Sequence, residues 1–71
     1  MELEKIEMFQ DEVEALRLCD RDGLTQEEAG LRMGVSRGTI QRIITSARKK
    51  SAQAIAEGCA LIFVSEQDRS S

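Results

Sequence analysis

This chain lacks histidine, tryptophan and tyrosine, and it has only two cysteines and two phenylalanines. Each shortage removes a class of function. Without histidine a zinc site would need Cys19, Cys59 and carboxylates together, a poor donor set. The commonest general base is also missing, and no serine or cysteine stands at a plausible spacing from another base. No glycine-rich loop is placed to cradle a phosphate, so an enzyme is not expected, nor any cofactor. Two aromatics, Phe9 and Phe63, leave little surface for base stacking, which makes RNA a weaker expectation than DNA. Cys19 and Cys59 both sit among apolar neighbours, so core thiols are expected rather than a disulfide framework. The longest apolar run, Cys59 to Val64, is far short of the roughly 20 residues that span a bilayer. No charged start, apolar middle and cleavage site mark a leader. The expectation is a cytoplasmic protein with no membrane contact. At 71 residues the chain makes one small domain, and without staples such a domain gains most from a second copy or a partner.

What is present is charge, unevenly placed. The net value is −3, yet residues 1–20 hold seven acids against Lys5 and Arg17. Residues 37–50 hold Arg37, Arg42, Arg48, Lys49 and Lys50 with no acid. A basic block inside an acidic chain is a directed surface, unlike a polycation that is basic throughout.

The pattern of elements is mainly helical. Asp11 to Asp20 predicts a first helix, with Asp11 and Glu12 at its positive end and Val13, Leu16 and Cys19 recurring every three residues. Asp22-Gly23 stops it. Thr25 and Glu28 form a T-x-x-E capping box for a second helix reaching Met33. Gly34 then supplies a residue suited to positive φ, and Ser36 caps a third helix. That helix is predicted over Arg37–Glu57 with Gly58 as its stop. At about 100° per residue from Arg37, Ile40, Ile43, Ile44, Ala47 and Ala54 fall between roughly 240° and 340°. Gly38, Gln41, Arg42, Thr45, Arg48 and Lys49 fall between roughly 20° and 140°, a polar and basic side opposite the packing side. Ala60–Val64 reads as a strand. One strand needs a partner, either the segment around Ile6–Met8 or the same strand of another copy. For that reason Glu4–Met8 is read as extended, although Leu3, Ile6, Phe9, Val13 and Leu16 would also suit a helix. The single domain therefore spans 1–71, with a core over 11–58 and a polar, frayed end over 66–71.

The central stretch Thr25–Lys50 meets the requirements of a helix-turn-helix. Gly30 gives a small residue where the helices touch, and Gly34 gives the turn four residues later. Ala29, Met33, Val35, Ile40 and Ile43 fill the wedge between the helices. In such a unit the second helix can enter a DNA groove. Ser36, Arg37 and Thr39 stand at its N-terminus, where amides and hydroxyls suit a phosphate. Gly38, Gln41, Arg42 and Thr45 would face base edges, Gln matching adenine and Arg matching guanine. Arg48, Lys49 and Lys50, two or more turns later, would hold phosphates.

The blocks EALRL, GLTQEEAGLRMGVSRGTIQRII and SARKK, with the EG-x-AL ending, resemble a small prokaryotic family of predicted DNA-binding proteins. The helix-turn-helix of that family is similar to the promoter-reading fourth region of primary sigma factors. The resemblance covers about residues 11 to 62. It implies a binding role without chemistry: a transcriptional regulator on double-stranded DNA, with RNA polymerase as a further contact. The chain departs from the family pattern in lacking a Pro- and Arg-containing N-terminal segment, and in carrying Gly38 between Arg37 and Thr39. Because one recognition helix reads only a few base pairs, a homodimer joined through Ala60–Val64 is expected. The alternative is a sigma-like adaptor that docks on another protein through its acidic first helix and does not read DNA.

Overall fold

The computed structural model describes residues 3–65, so the expected fraying of 66–71 lies outside the described residues. Five elements follow in order: β1 (Lys5–Phe9), α1 (Gln10–Leu16, extended by a π-helical turn over Arg17–Arg21), α2 (Gln26–Met33), α3 (Arg37–Glu57) and β2 (Ala60–Val64).

Capping chemistry sets the helix ends. Thr25 Oγ1 accepts from the Glu28 amide at 3.1 Å and the Glu28 carboxylate accepts from the Thr25 amide at 2.8 Å, which completes the box at the start of α2. Gly34 ends α2 at φ +71°, and Gly58 ends α3 at φ +68°. Ser36 caps α3 by accepting from the Thr39 amide at 3.2 Å. At α1 only the carboxylate half of such a box exists, where the Phe9 amide donates to Glu12 at 2.8 Å. The first helix begins one residue before the predicted Asp11 and does not stay α-helical to Asp20. Its last turn widens, with the Asp22 amide reaching back five residues to the Arg17 carbonyl at 2.9 Å.

β1 and β2 pair in parallel, from Lys5 opposite Ala60 to Phe9 opposite Val64. The first strand is thus extended rather than helical, and β2 finds its partner within the same chain. Parallel neighbours need a long crossover, and here all three helices supply it. Met8 is buried beneath this ribbon.

The core gathers Ala15, Leu18, Ala29, Ile40 and Ile44, with Leu16, Cys19, Leu24, Met33, Val35 and Ile43 packed around them. Five of the six predicted wedge residues (Ala29, Met33, Val35, Ile40 and Ile43) belong to this assembly, and the sixth, Gly30, is also buried. A Cβ built on Gly30 would lie 3.0 Å from the Val35 carbonyl oxygen and 3.6 Å from Ile40 Cγ2. The glycine is there because backbone and α3 press against it. Among the described residues, no helix is long and apolar enough to cross a membrane.

Candidate nucleic-acid interface

α3 divides lengthwise. Ile40, Ile44, Ala47 and Ala54 are buried, the two isoleucines in the core shared with α1 and α2. On the other side Ser36, Arg37, Gly38, Gln41, Arg42, Thr45, Arg48 and Lys49 are exposed, while Thr39 and Lys50 are half-buried. The ten predicted interface residues therefore lie on one helix and its cap, but they differ in what holds them.

Ser36 and Thr39 are tied to each other. Besides capping, the Ser36 hydroxyl donates to Thr39 Oγ1 at 3.0 Å. A Cβ on Gly38 would meet nothing within 4 Å, so the helix offers a bare, approachable patch there. Gln41, Arg42 and Thr45 surround that patch on the open side. Among the described residues, no ion pair engages Arg37, Arg42 or Lys49.

Arg48 and Lys50 are held differently. Arg48 makes a two-pronged contact with Asp20, at 2.8 Å and 3.2 Å. Asp20 is held below its ordinary pKa chiefly by that guanidinium, against a smaller upward push from burial. Lys50 Nζ lies 2.8 Å from Glu12 Oε1, 2.7 Å from the Glu7 carbonyl and 4.5 Å from the centre of the Phe9 ring. Glu12, only 5% exposed, also accepts from Ser46 at 2.5 Å. Burial pushes the Glu12 carboxyl up, but the bonds from Lys50, the Phe9 amide and Ser46 outweigh it and leave the pKa below its ordinary value. Lys50 thus locks β1, α1 and α3 together.

The expected clamp of Arg48, Lys49 and Lys50 accordingly separates by helical phase. Lys49 points straight out, whereas its two neighbours flank the core and reach the acids of the first helix. Sequence reasoning missed Glu12, Asp20 and Ser46 as partners. Glu12 is 38 residues from Lys50, and Asp20 is 28 from Arg48, so no local spacing connects them. The acidic first helix is also largely neutralised within the chain, with Glu14 bonded to Arg17 and Asp22 to Arg21 in addition.

Both cysteines are free thiols. Cys19 packs on the core as expected. Cys59 stands beside Glu4 and Glu57, with the three ligand atoms within 4.8 Å of one another. Burial, followed by those two carboxylates, pushes the Cys59 thiol up, so it stays protonated at neutral pH. A protonated thiol among exposed acids is a weak cation ligand.

A family model described as "Protein of unknown function DUF134" matches residues 1–68, and the chain belongs to that family. Relatives carry the equally neutral designation UPF0251 protein. One from Pyrococcus furiosus is 67% identical over 57 residues, covering 80% of this chain and 53% of the relative. One from Thermococcus kodakarensis is 65% identical over the same length, covering 50% of the relative. One from Vibrio parahaemolyticus is 44% identical over 66 residues, covering 93% of this chain and 69% of the relative. The chain spans about half the length of the first two. No solved structure matches it.

Proposed function

We propose that this member of the DUF134 family is a transcriptional regulator that binds double-stranded DNA as a homodimer, with α3 lying in the major groove. The observation that carries this reading is the open face of α3. It offers a bare glycine, Gln41, Arg42 and Thr45 together, with Arg37 before them and Lys49 beyond, and none of these three cations is spent on an acid of the described chain.

Dimensions support it. From Gly38 to Lys49 the helix rises about 16 Å, and the major groove is about 12 Å wide. Residues 38–45 would therefore lie across base edges, and Arg37 and Lys49 would meet the phosphates on either wall. Gln41 and Arg42 are the residues assigned to bases. Arg37 and Lys49 are assigned to phosphates, with the first amides of α3 adding a partial positive charge. Arg48 joins them only by giving up Asp20, and Lys50 acts by fixing α3 in place. The strand Ala60–Val64 contributes to the dimer contact. Work in a reducing cytoplasm is consistent with the two free thiols.

The adaptor reading needs an acidic helix with charge to spare. Glu12, Glu14, Asp20 and Asp22 each already have a cation within the chain, which favours DNA over charge-driven docking of a basic partner on α1. Selection from random duplex DNA at a stated salt concentration tests the proposal. Enrichment of a two-fold symmetric site is expected, and recovery of unselected sequence would refute it.

A further inference from the structure

We infer that the homodimer forms across an apolar groove between α1, α3 and the ribbon, with Phe63 and Ile55 as its main contacts and a second copy of this chain as its occupant. This rests on the DNA-reading proposal for its geometry and on the surface itself for its chemistry.

The groove has a volume of about 550 Å³ and is lined by Val13, Leu16, Leu61 and Phe63 over a floor of Met8. Phe63 is 67% exposed at its edge. Ser51 of α3 forms the far wall. Ile55 lies one turn further along the same strip of helix, since residues four apart share a face. It is 84% exposed, the most exposed large apolar side chain among the described residues. Its neighbours Ala52 and Ala56 are exposed too, so nothing bulky shields it.

The charge around the groove suits a second copy. Arg17, Arg21 and Asp20 rim the groove, with Glu14 and Asp22 bonded to the two arginines. Each rim charge is matched within its own chain, Asp20 by Arg48 as well, so two copies can meet about a two-fold axis without like-charge repulsion, as an isologous interface requires. Such a rim would not suit a nucleic acid or an anionic membrane, which call for one sign.

The position of Ile55 along α3 fits a two-site operator. It stands 13–14 residues beyond Gln41 and Arg42, which is about 20 Å of helix. Two α3 helices meeting near Ile55 and running roughly antiparallel would separate their reading residues by about 40 Å. Inclining them by the roughly 50° of common helix packing shortens this to about 36 Å. Half-sites one turn apart on DNA lie about 34–36 Å apart. Phase agrees as well. Ile55 lies about 90° around the helix from the centre of the reading face. A partner on the Ile55 side therefore leaves both reading faces directed along the dyad, towards one side of the pair.

The test is sedimentation of the full chain at micromolar concentration, for the wild type, Ile55→Glu and Phe63→Glu. Both positions are exposed, so each variant should keep its far-ultraviolet dichroism and show that the monomer is folded. The wild type is expected to be a dimer, and each variant should self-associate at least tenfold more weakly. On a symmetric duplex each variant should lose at least tenfold in affinity while binding a half-site as the wild-type monomer does. A monomeric wild type, or a dimer unaffected by Ile55→Glu, would overturn the inference. Dissociation by Phe63→Glu alone would also overturn it, pointing instead to pairing along the free edge of β2. A dimer that obeys both substitutions but binds no DNA would uphold the surface and reject the DNA reading.

Discussion

Replacing Lys50 by methionine keeps the length and apolar stem of the side chain and removes its amine. The charge lost is one of a pair, with side-chain exposures of 24% for Lys50 and 6% for Glu12. Deleting one partner of a buried pair costs about 3–5 kcal/mol, because the other charge is left without its counter-ion. Glu12 would keep the Ser46 hydroxyl and the Phe9 amide, and it could take up a proton, so the lower end applies. Loss of the contact over the Phe9 ring adds about 0.5–1 kcal/mol. The expected cost is therefore about 3.5–4 kcal/mol. A domain of this length has roughly 4–10 kcal/mol in total, so the melting temperature should fall on the order of 25 °C. Urea denaturation followed by circular dichroism measures this, with Lys49→Met as the comparison. Lys49 is exposed, and its loss should change stability by no more than about 0.5 kcal/mol. A cycle with Glu12→Gln should return most of the Lys50 effect as coupling. If Lys50→Met behaved like Lys49→Met, the assignment of Lys50 as a structural lock would be refuted.

Glu12, Glu14, Asp20 and Asp22 all have pKa values lowered by their partners in the folded state. Lowered carboxylates stabilise above their unfolded values, and that stability disappears as pH falls through the folded ones. Acid unfolding should thus set in below about pH 4.5, the ordinary glutamate value, and Glu12→Gln should make a pH series of melting curves shallower. Asp20→Asn should free Arg48 for a phosphate, raising DNA affinity and steepening the salt dependence by about one counter-ion per protomer; an unchanged slope would show that Arg48 does not reach DNA. Gly30→Ala should destabilise by about 1 kcal/mol, since crowding against the Val35 carbonyl exceeds the gain in helix propensity. Gly38→Ala faces open space and should stabilise by up to about 1 kcal/mol, which differential scanning calorimetry would show alongside it.

The helices were legible because their ends are written locally. The Thr25–Glu28 box, Gly34, Ser36 and Gly58 each act within a few residues, and α3 begins and ends where they predict. Ala60–Val64 was equally plain, and the need of one strand for another pointed to the N-terminal segment. The π-helical turn at Arg17–Arg21 was not legible, since nothing in RLCDR distinguishes a widened turn from an ordinary helical one. Nor was the division of the basic block. Composition presents Arg48, Lys49 and Lys50 as one run, whereas 100° of rotation per residue sends them in three directions. Which of them meets an acid depends on where α1 lies, a long-range fact.

The proposed DNA contact is the open face of α3 and no other surface. Mapping backbone amide shifts by nuclear magnetic resonance, with the full chain titrated by a selected duplex at low salt, tests this most directly. Perturbations are expected to concentrate between Ser36 and Lys49 and to disappear in Arg42→Ala/Lys49→Ala. Shifts centred on α1 or β2, or none at all, would contradict the proposed contact.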